Sequence, residues 1–75
     1  MSQKHFLNIL RKLLAKGYIK VEDSINHRGQ LERIYRSVAE NAAIIMISVM
    51  DHEGVKNVYR NESALLKLWD DLHTW

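Results

Sequence analysis

Nine residues in the middle of the chain, Ala42-Ala43-Ile44-Ile45-Met46-Ile47-Ser48-Val49-Met50, form its one long apolar run, and a run of that kind must be buried. Four of the nine are β-branched. The run leads into Asp51-His52-Glu53-Gly54, a turn sequence whose glycine can take the positive φ that closes a short hairpin. We read the run as the central strand of a sheet. A helix competes, because Ser37-Val38-Ala39-Glu40 has the Ser-x-x-Glu form of a capping box and Gly54 stands where a left-handed residue ends a helix.

The flanking segments supply what such a strand needs as cover. Ser2 can cap a helix from Gln3 to Lys16 that Gly17 terminates. At 100° per residue, Phe6, Leu7, Ile9, Leu10, Leu13 and Leu14 fall on one side of it, and Lys4, His5, Asn8, Arg11, Lys12, Ala15 and Lys16 on the other. From Tyr18 the period changes to two: Ile19, Val21 and Ile25 alternate with Lys20 and Glu22, and Asn26-His27-Arg28-Gly29 makes a turn. Leu31 to Val38 reads as a strand near one sheet edge, with Ile34, Arg36 and Val38 on one side and Leu31, Arg33 and Tyr35 on the other. Ala39-Glu40-Asn41 connects to the central run. Val55 to Arg60 follows as a fourth strand, Val55 and Tyr59 on one side and Val58 on the other. Asn61 caps a closing helix of about 13 residues in which Ala64, Leu65, Leu68, Trp69, Leu72 and Trp75 make one stripe. The expected architecture is one α+β domain over residues 1–75: helix, four-stranded antiparallel meander of two hairpins, and a second helix on the same sheet face.

Size and composition narrow the function. A chain of 75 residues buries only about 60% of the surface its unfolded form exposes. Without cysteine it has no disulfide and no thiolate metal site, so packing or oligomerisation must stabilise it. No apolar stretch approaches the roughly 20 residues that span a bilayer, and no leader pattern opens the sequence; a cytoplasmic protein is expected. The net charge of +2 conceals an asymmetry. Residues 1–36 carry eight Lys and Arg against three Asp and Glu, and residues 37–75 carry three against six.

No nucleophile elbow, glycine-rich phosphate loop or His-Glu-x-x-His pair is present, so no enzyme, cofactor or metal is expected. Asp51-His52-Glu53 is the most reactive-looking cluster, but neighbouring side chains in a turn diverge. The stronger constellation is electrostatic. If the outer face of the first helix and the Asn26–Gly29 turn point the same way, then Lys4, Arg11, Lys12, Lys16, His27 and Arg28 form a patch for phosphates, with Asn8 able to bond a base edge.

Leu10-x-x-Leu13-x-x-Lys16-Gly17-Tyr18-Ile19, followed by Arg28-Gly29 and Arg33-x-Tyr35, resembles the recognition helix and wing of winged-helix regulators of the PadR, MarR and ArsR kinds. The resemblance spans residues 4–37, without the two helices that precede the recognition helix in that family. It implies a small DNA-binding transcription regulator in which Lys4, Asn8 and Arg11 enter the major groove and Arg28 touches backbone or minor groove. On the helical reading of the apolar run, a truncated winged helix with residues 38–52 helical and a dimer partner would complete it. The alternative function is a protein-interaction module or inhibitor, of the compact kind that phages and mobile elements encode. It would dock on a partner or on itself through the basic helix or through Leu66, Trp69 and Trp75 of the last helix.

Overall fold

The structure, a computed structural model, describes residues 1–38 and 42–73. The chain runs α1 (Gln3–Ala15), β1 (Ile19–Ile25), β2 (Leu31–Ser37), β3 (Ile44–Asp51), β4 (Gly54–Arg60) and α2 (Glu62–His73). The strands form one antiparallel meander in the order β1-β2-β3-β4, so the apolar run is an interior strand and β1 and β4 are the edges. Residues 44–51 are extended, which overturns the helical alternative for 38–52. The connection at Ala39-Glu40-Asn41 and the end of the expected stripe at Trp75 lie outside the described residues.

Local chemistry explains the boundaries. The Ser2 hydroxyl accepts the His5 N–H at 3.1 Å and opens α1. At the other end Gly17, with φ of 82°, donates to the Leu14 carbonyl while Tyr18 donates to that of Leu13, the paired bonds of a Schellman cap. Lys16 is therefore the capping residue and not the last helical one. At α2 the Asn61 side chain works twice. Its Oδ1 accepts the Ala64 N–H, and its Nδ2 donates to the Ile44 carbonyl of β3, so one residue caps the helix and ties it to the sheet.

Two irregularities depart from simple alternation. The strand expected from Ala42 begins at Ile44, because Ala42 has a left-handed φ of 47° that extended backbone excludes. A register shift then leaves Ile45 unpaired between the partners Arg36↔Ile44 and Tyr35↔Met46, and both Ile45 and Met46 turn into the core. A second shift sets Val49 opposite Asn57 but Met50 opposite Val55. Lys56 is the extra residue. Val55 consequently joins Val58 on the helix side of the sheet, where both line one groove beside α1, and the alternation that grouped Val55 with Tyr59 fails.

The core is a single cluster: Phe6, Ile9, Leu10 and Leu13 of α1, Ile19 of β1, Ile45 and Met46 of β3, and Leu65 of α2. Tyr35, Leu68, Trp69 and Leu72 pack around it. Both helices lie on one sheet face. α1 crosses it obliquely, its C-terminus joined to β1 and its first turn over β4, where Phe6 lies 5.5 Å beneath the Arg60 guanidinium. The core sits at the end of the sheet marked by Ile19, Ser37 and Ile45. Beyond α1 the strands continue toward both hairpin tips, and the molecule is 43 Å long but only 20 Å thick.

Candidate nucleic-acid interface

Because Phe6, Ile9, Leu10 and Leu13 are held in the core, the residues a half-turn away must face solvent. Lys4, Asn8, Arg11, Lys12 and Lys16 are all exposed. They run along a rod that rises about 1.5 Å per residue, so the stripe from Lys4 to Lys16 is roughly 18 Å long. Among the described residues, none of its four cations has a carboxylate within 4.0 Å.

The strands behave differently. Every Lys and Arg on them has an acidic neighbour: Lys20 with Glu22 at 3.3 Å, Arg36 with Glu22 at 3.7 Å, Lys56 with Glu53 at 2.7 Å, and Arg60 with Glu62 at 4.0 Å. Arg33 grips Asp23 with two parallel bonds, Nε to Oδ1 at 3.0 Å and Nη2 to Oδ2 at 3.2 Å. Those hydrogen bonds hold the Asp23 carboxyl below its ordinary pKa and the Arg33 guanidinium above its own.

The helix dipole accounts for part of the α1 pattern. Lys12 and Lys16 stand at the C-terminal end, where a positive charge is favoured. Lys4 does not. It occupies the first turn, which carries no acidic residue, and there it opposes the positive end of the dipole. Neither internal pairing nor helix stability explains that cation.

The β1–β2 turn is rigidly built. The Asn26 Oδ1 accepts the N–H groups of Arg28 at 2.9 Å and Gln30 at 3.0 Å, and Gly29 donates to the Asn26 carbonyl. His27 and Arg28 are exposed on it. They line a concavity of about 460 Å³ with Glu32, Val49 and Asn57. Those three strand residues alternate with the helix-facing Tyr35, Met46 and Val58, so the concavity opens on the sheet face opposite the helices. His27 and Arg28 therefore stand apart from the α1 stripe. The expected single patch is two.

On α2, Leu66 is 40% exposed, whereas Trp69 is half-buried against the core. Trp75 lies outside the described residues. His52 sits in the β3–β4 turn, 3.9 Å from Glu53, while Asp51 accepts the Glu53 N–H. Among the described residues, no group of three or more acidic or imidazole side chains is placed to hold a metal ion. No helix among them is long and apolar enough to cross a membrane.

Arg60 was not singled out by sequence. It joins the two layers, stacking over Phe6 and approaching Glu62, and its Nη1 is buried with no hydrogen-bond partner among the described residues. An arginine just before a helix-capping Asn was its only signal. The fold and its charged surface define a small two-layer α+β domain with one basic helix. Comparison of the chain with protein-family models, curated proteins and solved structures gave no match.

Proposed function

We propose that this protein is a non-enzymatic, nucleic-acid-binding regulator that lays the outer face of α1 against duplex DNA. The observation that carries this reading is the stripe of four cations without a carboxylate partner among the described residues, beside five strand cations that each have one. Lys4, Arg11, Lys12 and Lys16 neutralise phosphates, and Asn8, on the same line as Lys4 and Arg11, reaches a base edge. A single helix presented on a flat support fits a major groove about 12 Å wide. Arg28, on the other sheet face, engages a separate stretch of backbone or none.

The test is a titration of duplex DNA followed by fluorescence anisotropy at several salt concentrations. Four phosphate contacts give a logarithmic slope of about −3.6, so affinity falls on the order of a hundredfold between 50 and 200 mM salt. A flat response overturns the proposal.

A second reading, a protein-docking module, is favoured by Leu66, a large apolar side chain on the outer side of α2. Leu66→Ala separates the two: it leaves DNA affinity unchanged and weakens only a protein complex. Trp69 serves that purpose poorly, since its packing against the core makes any substitution a test of folding as well.

A further inference from the structure

We propose that the groove between α1 and the β3–β4 hairpin binds a small monocarboxylate with an apolar body, its carboxylate on Arg60 and its body directed toward the hairpin tip. Gln3 and Leu7, one helical turn apart, wall the groove on the α1 side, and the sheet side chains Met46, Ser48, Val58 and Val55 form its floor. The space is about 280 Å³, near the lower end of the range for small-molecule sites. The register orders the floor along the strands. Met46 pairs with Arg60, Ser48 with Val58, and Met50 with Val55, so Arg60 stands at the end nearest the core and the two valines follow toward the tip. The groove is therefore cationic at one end and apolar along most of the rest, with the Ser48 hydroxyl diagonal to the guanidinium.

Two observations at Arg60 specify an anion. Its Nη1 is buried with no hydrogen-bond partner among the described residues, and a charged donor left in that state is costly. Glu62 is the carboxylate that approaches it among the described residues, and it meets Nη2 only at 4.0 Å, beyond hydrogen-bond length. The Phe6 ring beneath holds the guanidinium in place, while the side chain stays 31% exposed and within reach of a ligand. On binding, the guanidinium turns so that Nη1 and its neighbour grip the carboxylate in the paired fashion by which Arg33 grips Asp23. Other cations do not compete for it. Lys4 lies on the outer face of α1 and does not line the groove, and at the tip Lys56 is taken up by Asp51 and Glu53. One guanidinium matches a single negative charge, and Leu7, Met46, Val55 and Val58 offer no partner to a polar body.

The site is tested without nucleic acid, so its fate is separate from that of the DNA reading. The probe is octanoate below its micelle concentration, titrated into isotope-labelled protein and followed by amide chemical shifts. Saturable shifts should cluster at Leu7, Ser48, Val58 and Arg60 and leave Val49 and Asn57, on the opposite sheet face, in place. Octanamide keeps the body without the charge and acetate the charge without the body; each should bind at least about tenfold more weakly. Arg60→Lys keeps the positive charge but loses the paired bonds, and should lower octanoate affinity about tenfold. Val58→Trp fills the groove and should abolish binding, while Arg28→Gln on the other face should change nothing. Absence of a saturable shift overturns the proposal, as do shifts centred on other residues, octanamide binding as tightly as octanoate, or a folded Arg60→Lys or Val58→Trp variant that binds like the wild type. Should these variants fold poorly, the wild-type shift map and the octanamide comparison decide by themselves.

Discussion

The cations of the sheet and the cations of α1 are the same residue types in different circumstances. On the strands, period-two geometry brings residues of neighbouring strands within reach, so Asp23 meets Arg33 and Glu22 meets Arg36 across the β1–β2 pair. On α1 only positions three and four apart meet, and no acidic residue stands on the helix at all. The strand pairs are surface pairs and contribute little to stability. What they do is neutralise. Among the described residues, the contrast leaves the outer face of α1 with four cations that no carboxylate neutralises.

The sharpest way to break that contrast is to unseat α1. Phe6 is fully buried and lies under the Arg60 guanidinium, so Phe6→Ala should cost about 3–5 kcal/mol in urea unfolding and take DNA binding with it. Binding that persisted in an unfolded variant would show that the helix is not the reader. Next in size, the double reversal Arg11→Glu with Lys12→Glu should lower DNA affinity at least on the order of a hundredfold in the same anisotropy titration, with little change in melting temperature. A large loss of stability instead would mean that these charges have structural partners after all.

A smaller effect isolates the link between layers. Asn61→Ala removes the α2 cap and the bond to Ile44, and should cost about 1 kcal/mol by chemical denaturation while leaving DNA affinity intact. The smallest effect belongs to the Asp23–Arg33 pair. The Asp23 carboxyl titrates below its ordinary value in the folded chain, so its contribution is present at neutral pH and is lost only as pH falls through the acid range below about 4. Asp23→Asn should leave thermal stability between pH 5 and 8 almost unchanged, because the pair is exposed. A marked loss there would put the strand pairs on a different footing from the one described.

Much of this architecture was legible in the residues. The change from helical to alternating period at Gly17, the caps at Ser2 and Asn61, the turn at Asn26–Gly29 and the apolar run at 42–50 are local signals. Each acts through a few neighbouring residues, which is why order, type and approximate limits of the elements could be read from them. The outer face of α1 was equally plain, since one helix's periodicity determines which side its cations occupy.

What tertiary structure alone decided are matters of register and direction. Two bulges put Ile45 beside Met46 in the core and Val55 beside Val58 on the helix side, and alternation has no means of signalling an inserted residue. The Asn26–Gly29 turn leans to the face away from the helices, so Arg28 and Lys4 stand on different surfaces although both belong to the basic half of the chain. Whether a charge is paired depends on a neighbour ten residues away, as Arg33 depends on Asp23, or on there being none among the described residues, as on α1. Sequence determined which side chains each element would carry. Only the packing of the elements determined which of those side chains would meet, because that depends on distances between segments that no local pattern contains.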